Sequence, residues 1–430
     1  MKCTILLSAL FFTFTSWAQV PAPAPKQAKP VLLTGATLHV GNGLVIEKAA
    51  VAFDKGKITY AGPASGAPTA TGYEVIEVSG QHIYPGLIQP NTQLGLTDIS
   101  SVRATRDEQE VGVFNPNVRS LIAYNTDSDI LPTIRANGVL LVQATPVGGT
   151  ISGSSSVMQL DAWNWEDAAV KADDGLHLNW PTIPRAPQPE SRPNISEAIN
   201  NREKALQELQ QLFTEAAVFS REVAGKENLK LVALKGLFDG SKRLYIHADA
   251  AKEIIEGIRF AKKNNVKNIV LVGGYDSWKI TDFLKEQNVP VIISGIHILP
   301  NRTVEDVDLP YKLPNLLQQA GILYCLQYDG ALHGHRNLPF IAGTAVAYGL
   351  TKEQALSAVT ANTAKILGVD QQTGTIAAGK DANLVISAGD LLDMRTNNVT
   401  AAYIQGRKIN LTDKQKALYQ KFKEKYEAEK

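Results

Sequence analysis

The sequence predicts an α/β chain: a (β/α)8 barrel of the TIM type with a small composite β-sandwich formed by its N- and C-terminal segments. Three observations carry this expectation. Through the middle of the chain, apolar strand-like runs alternate with helical stretches, the pattern of a parallel sheet buried on both faces. That alternating region spans about 290 residues, the size of a barrel of eight strand–helix units. Both ends instead show short strands separated by turns, and neither end has enough strands to stand alone.

Composition narrows the functional classes. The chain has 430 residues, 44% hydrophobic and 20% charged, which is globular rather than disordered. A formal net charge of +1 argues against a nucleic-acid footprint. Two cysteines cannot build a disulfide scaffold or a Cys-rich metal cluster. With seven histidines, few residues are available as metal ligands.

The elements follow in order. Met1-Lys2-Cys3 precedes an apolar run from Ile5 to Phe14, and Ser16-Trp17-Ala18 gives a small-x-small pattern before Gln19. Residues 1–18 therefore read as a secretory signal peptide, too short in its apolar run to span a bilayer. The mature chain is expected to be exported, periplasmic or extracellular, with no membrane anchor. Cleavage removes Lys2 and no acid, leaving a formally neutral chain with Cys325 as its one thiol. Residues 19–30, ending VPAPAPKQAKP, read as a semi-stiff Pro-rich linker, a tether with no chemistry of its own. Residues 31–84 form short strands, with a hairpin signal at Asp54-Lys55-Gly56-Lys57. The barrel is expected over 85–377, its strands including Gly138–Ala144, Leu244–His247, Asn268–Val272, Val289–Ser294 and Ile322–Gln327. An insertion over about 160–230 interrupts it: Trp163, Trp165 and Trp180, a proline-rich stretch, then a helix over roughly Ser196–Val223 with a core-packing stripe of Ile199, Leu206, Leu209, Phe213 and Phe219. Barrel strand 4 has no clear signal. The Gly-rich run Gly148–Ser156 reads as a structural loop, with anion cradling by its N–H groups as the alternative. Residues 378–411 return to β patterning and complete the sandwich. The tail, 412–430, reads as a helix capped by Thr412 and Gln415, its Lys and Glu residues forming a solvated face.

Three segments resemble the amidohydrolase superfamily, specifically its exported bacterial branch of imidazolonepropionase- and dipeptidase-like enzymes. They are Ile83-Tyr84-Pro85-Gly86-Leu87-Ile88, leading into barrel strand 1; Gly349-Leu350-Thr351 through Glu353-Gln354-Ala355-Leu356 to Thr360–Lys365; and Gly374–Val385, which is close to the family's GSLEPGKDADLV pattern. The resemblance spans nearly all of the mature chain, with the segments in the family's order. It implies a metal-dependent hydrolase barrel. There, one or two divalent ions at the C-terminal mouth lower the pKa of a bound water, and an Asp after strand 8 serves as base.

The resemblance also exposes departures. The family's Asp-x-His-x-His after strand 1 reads Gln89-x-Asn91-x-Gln93 here, and carboxamides are far weaker ligands than imidazole. Strand 5 keeps its histidine, His247. Strand 6 has Gly273 where a histidine is expected. Asp329 falls where the resemblance places the catalytic base, though without the usual Gly-Thr-Asp flank. Lys235 is the nearest candidate for a strand-4 lysine, and reads as a solvated residue. His297, His333, His335 and Asp276 all follow barrel strands and make a displaced, mononuclear site conceivable with His247 and Asp329. His39, His82 and His177 have no supporting constellation.

The expected function is an exported hydrolase of carbon–nitrogen bonds in non-peptide amides, cyclic amides, N-acyl amino acids or dipeptides. The alternative is a catalytically degenerate relative acting as a ligand-binding or partner subunit. The expected cofactor is none or one divalent metal, zinc if one is present, with no binuclear site. The expected partner is a small amide-type molecule and no nucleic acid. A homo-oligomer or pairing with an active paralogue is left open.

Overall fold

The computed structural model describes residues 22–184, 195–220 and 228–428. The expected signal peptide, most of the proline-rich stretch and the end of the long helix lie outside these residues. No helix among the described residues is long and apolar enough to cross a membrane.

Both chain ends build one eight-stranded sheet. β1 (Val31–His39), β2 (Val45–Asp54), β3 (Lys57–Pro63), β4 (Glu74–Glu77) and β5 (His82–Pro85) come from the front. The barrel strands intervene, and β14 (Leu384–Ser387), β15 (Val399–Ile404) and β16 (Arg407–Lys408) come from the back. The strand order is β16-β15-β14-β5-β1-β2-β3, with β4 beside β1. The sheet closes on itself around Leu33, Leu38, Phe53, Ile83, Leu384 and Tyr403. This is the composite sandwich the two ends predict, joined where β5 pairs antiparallel with β14.

The barrel has eight strands: β6 (Leu87–Thr92), β7 (Val139–Ala144), β8 (Ile151–Gln159), β9 (Ala169–Asn179), β10 (Arg243–Ala248), β11 (Asn268–Gly273), β12 (Val291–Ile293) and β13 (Tyr324–Leu326). Two features differ from the expectation. The sheet is not wholly parallel, because β8 runs antiparallel to both neighbours. A parallel return needs a crossover of a dozen or more residues. Only residues 145–150 join β7 to β8, and Gly148 and Gly149 take positive φ, 87° and 61°, to make the turn. The Gly-rich run is thus one-third turn and two-thirds strand. Second, the interval 160–230 is not all insertion. It contains β9, the fourth strand, whose polar sequence KADDGLHLN hid it from a search for apolar runs.

The barrel floor is apolar. Ile88, Leu141, Val157, Tyr245, Val270, Val272, Ile292 and Cys325 pack on Ala364, Ile366 and Leu367 of the helix Ala361–Leu367. The helix Ile195–Phe219 buries Leu209, Phe213 and Ala216 against the outside of the barrel, while Ile199 is left exposed. Lys235 sits 4.7 Å over the Phe219 ring.

β13 and β6 share no backbone ladder, so the barrel's last and first strands meet at a seam. Side-chain amides bridge it. Gln89 is fully buried; its Oε1 accepts the Tyr328 N–H at 3.2 Å and its Nε2 donates to the Tyr328 carbonyl at 3.2 Å. Its carboxamide thus substitutes for a peptide group of a neighbouring strand. Asn91 Nδ2 donates to Gln327 Oε1 at 2.9 Å. Ile88 N–H turns instead to the Val359 carbonyl.

The Pro-rich segment is docked rather than loose. Ala24 N–H donates to Asp161 Oδ2 at 2.9 Å and its carbonyl accepts from Arg407 at 3.1 Å. Gln27 bonds the Phe53 carbonyl and the Gly56 N–H. Polyproline backbone has no internal hydrogen bonds, so its polar groups are free to take such partners. Asp161 is the hub. Its side chain is wholly buried and pairs with Arg135 at 2.8 Å and Arg407 at 2.7 Å. The tail helix, Lys414–Ala428, has no buried residue, and is capped by Asp413, which accepts from Lys416 N–H, rather than by Thr412. Gln415 instead accepts from Thr133.

Removing one member of a buried charge cluster leaves the others uncompensated, at a cost of about 3–5 kcal/mol. Asp161→Asn should therefore lower unfolding stability by about that amount in urea titration, while Lys352→Gln, which breaks an exposed pair with Asp390, should change it by under about 1 kcal/mol.

Candidate active site at the barrel mouth

His247 stands near the C-terminal end of β10, with Asn179 of β9 opposite it; Tyr245 lies opposite His177. Side chains two apart on a strand share a face, so Tyr245, His247 and His177 all enter the barrel. His177 Nδ1 and His247 Nε2 are 2.8 Å apart. One ring donates and the other accepts. His177 is fully buried and stacks on Tyr245 at 4.6 Å; its Nε2 has no partner. His247 keeps some surface at the mouth although protein surrounds its ring. Burial pushes the His247 pKa down to about 4. Burial, and then His247, hold His177 well below the ordinary histidine value. Both imidazoles are neutral at physiological pH.

Below this pair lies a buried polar network. Asp174 accepts from Tyr245 O–H at 2.5 Å, Ser155 Oγ at 2.7 Å and Gln143 Nε2 at 2.9 Å. Burial raises its pKa, against these donors and Lys171. Gln143 Oε1 accepts the Asn91 N–H at 3.0 Å. Asn91, at a family ligand position, holds φ at +45°. The network therefore runs from the seam to the ring beneath His177.

The other residues singled out in the sequence are spread around the mouth. Asp329 is exposed just beyond β13. It faces the charge of Asp249, whose carboxyl is raised first by burial and further by Glu253, Asp329 and Asp276. Asp276 is engaged by Arg302 and Lys279, both at 2.8 Å; these hold its pKa at about 2 despite burial. His297 turns outward to Thr344 Oγ1 at 2.7 Å and meets Tyr311 edge-on. His335 is buried beside Thr92 and against the Tyr328 edge, and burial lowers its pKa to about 4. His333 is exposed and Gln93 is half-buried. Gly273 has φ +93°, and a Cβ there would lie 2.6 Å from Asp249 Oδ1, so a histidine at this position requires Asp249 to move. The structure brings His247 together with none of His297, His333, His335 or Asp276.

His177, Tyr245, Asp174 and Gln143 were not singled out from sequence. The alternation Gly175-Leu176-His177-Leu178-Asn179, apolar residues outward and polar inward, was the available signal. His39 and His82 also have partners, at the junction of sandwich and barrel. His39 Nδ1 meets Glu353 at 2.7 Å and its Nε2 meets His82 at 3.0 Å.

A catalytic zinc takes three protein ligands. The mouth offers two imidazoles, whose facing nitrogens are already occupied by each other, and the strand-1 carboxamides Gln89 and Asn91 are committed to the seam. No group of three or more His, Cys, Asp or Glu among the described residues could hold a metal ion. His177 and His247 by themselves fall short of the three protein ligands of such a site.

Residues 142–409 match the sequence profile of the Amidohydrolase family. The imidazolonepropionase of Deinococcus radiodurans is 23% identical over 94% of this chain and all of that protein. Among solved structures, an amidohydrolase from Thermotoga maritima MSB8 superposes with a TM-score of 0.77 at 23% identity, covering 88% of this chain and 99% of that one. A prolidase complexed with N-methylphosphonate-L-proline superposes with a TM-score of 0.53 at 14% identity, covering 89% of this chain and 99% of that one.

Gln89→Ala removes both bonds to Tyr328 and leaves buried backbone groups unpaired, at about 1–3 kcal/mol each. Denaturant titration should show a loss of about 2–4 kcal/mol; a loss under about 0.5 kcal/mol would mean the seam closes without it. His335 and His247 have folded pKa values near 4, below the ordinary 6.5. Between these values the unfolded chain binds more protons, so stability is full above about pH 6.5 and falls as pH drops toward 4. His335→Gln should flatten that slope by on the order of 2–3 kcal/mol across the window, read from unfolding midpoints at stepped pH.

Proposed function

The chain belongs to the amidohydrolase family, and on that premise we propose that it hydrolyses the carbon–nitrogen bond of a small amide-type molecule outside the cytoplasm, without a binuclear metal centre. By family it is a hydrolase of C–N bonds. The substrate classes proposed are cyclic amides, N-acyl amino acids and dipeptides. The observation that carries this reading is the neutral His177–His247 pair on the fourth and fifth strands, facing the mouth that Asp329 borders.

A base works best with a pKa near the working pH, so an imidazole near 4 is a poor base at neutrality. Its value lies in remaining an uncharged, fixed hydrogen-bond partner. In this reading His247 orients the amide carbonyl, with His177 fixing its ring and tautomer, and Asp329 accepts the proton of the attacking water and returns it to the departing nitrogen as the C–N bond breaks. Export is supported by the signal-peptide pattern of residues 1–18. The metal content proposed is none or one divalent ion, zinc if one is bound.

The commitment of Gln89 and Asn91 to the seam favours a second reading, a ligand-binding or partner subunit that keeps the scaffold. Two measurements separate the readings. Elemental analysis of the purified protein should find at most one equivalent of zinc, manganese or iron; two equivalents would overturn the metal proposal. A panel of hydantoins, acyl amino acids and dipeptides, with and without added metals, should reveal turnover that falls about 10²–10³-fold in His247→Ala, as for loss of one fixed hydrogen-bonding group. Tight binding of a panel member without turnover supports the second reading.

A further inference from the structure

The opposite end of the barrel carries a second concavity that the proposed chemistry does not use. It has a volume of about 500 Å³ and lies among the N-terminal ends of β10, β11, β12 and β13. Five cationic side chains line it: Arg243, Lys262, Lys267, Lys285 and Lys365. They come from separate elements: the start of β10, the end of the helix Ala251–Lys263, the loop before β11, the helix Thr281–Gln287 and the helix Ala361–Leu367. No aspartate or glutamate is among the lining residues. None of the five has a hydrogen-bond or ion-pair partner among the described residues.

Helix ends account for part of this. Lys262, Lys285 and Lys365 lie in last helical turns, where the macrodipole favours cations. The dipole does not explain why these lysines converge on one concavity with two further cations. Arg243 is half-buried on a strand, packed against Gly368. Its field reaches Lys171, whose ammonium is held below the ordinary lysine value by burial and then by Arg243. Several other cations do have carboxylate partners: Lys57 with Asp381, Arg119 with Asp173, Lys352 with Asp390, Arg302 with Asp276. In a chain with 43 basic and 42 acidic residues, an unmatched group of five is a local excess. Like charges around one cavity repel one another, and an anion placed among them relieves that repulsion.

We infer that this concavity is a binding site for a small soluble polyanion, one carrying two or more phosphate or carboxylate groups. The multiple anionic groups match cations spread around a rim, and the volume is that of a small-molecule site. Gln287, which also lines the cavity, adds a neutral donor. This inference does not rest on the proposed hydrolysis, since it concerns the other end of the barrel.

Isothermal titration of the full chain with sodium pyrophosphate, with ionic strength held constant by sodium chloride, tests it. Saturable binding at one site with a sub-millimolar Kd is expected. The exposed pair Lys262→Gln/Lys285→Gln should weaken it at least about tenfold, equivalent to roughly 1.4 kcal/mol, and Arg243→Gln should do the same. A Lys421→Gln/Lys423→Gln control on the tail helix should leave it unchanged. Citrate in place of pyrophosphate distinguishes carboxylate from phosphate as the favoured group. No saturable heat with either probe overturns the proposal, as does undiminished binding in the double variant. Binding to phosphatidylglycerol vesicles without binding to either soluble probe also overturns it, in favour of a membrane surface.

Discussion

A barrel is stable only if its first and last strands meet, because an open edge leaves a row of unpaired backbone groups. Here that closure depends on side chains. The Gln89 carboxamide occupies the place of a peptide unit between β6 and Tyr328, and Asn91 reaches Gln327 beside it. These are two of the positions where the family resemblance puts metal-binding residues. A group that donates and accepts in a fixed plane across a seam cannot also turn its oxygen to an ion. Structural closure and ligation thus make competing demands on these positions, and the Gln89 and Asn91 amides are hydrogen-bonded across the seam.

The interior above the apolar floor is polar and buried, so each group in it needs a partner. Asp174 receives three donors, Gln143 uses both ends of its amide, and the two histidines share one hydrogen bond. The one gap is His177 Nε2. Paired buried groups favour a single arrangement, and Tyr245, bonded to Asp174 and stacked on His177, links this network to the mouth. The cost is that the histidines remain uncharged, which favours their use as oriented dipoles over their use as proton acceptors.

Much of this architecture was legible in the sequence. The composite sandwich and the fifth to eighth strands followed from apolar runs and from the segments around Tyr84-Pro85-Gly86 and Gly379-Lys380-Asp381. Two features were not. The direction of β8 is set by the length of its connection and the two glycines in it, not by any pattern within the strand. β9 is polar because it faces the interior network, so it lacked the apolar signature used to find its neighbours, and His177 was passed over with it. The docking of the Pro-rich segment was equally hidden, since it depends on Asp161 and Arg407, distant in sequence and buried only in the assembled fold. In each case a long-range contact, rather than local propensity, decides the outcome.

The pairing of β5 with β14 has a consequence in time. β5 is synthesised about 300 residues before its partner (His82–Pro85 against Leu384–Ser387), and at ordinary rates of synthesis that interval lasts tens of seconds. Throughout it, β5 has no β14 to pair with and the core lacks Leu384, Ile386 and Tyr403. Sequence-distant pairings of this kind slow folding because loop closure must precede the contact that rewards it. The sandwich can therefore be completed only after nearly all of the chain has been made, however early its first strands are available.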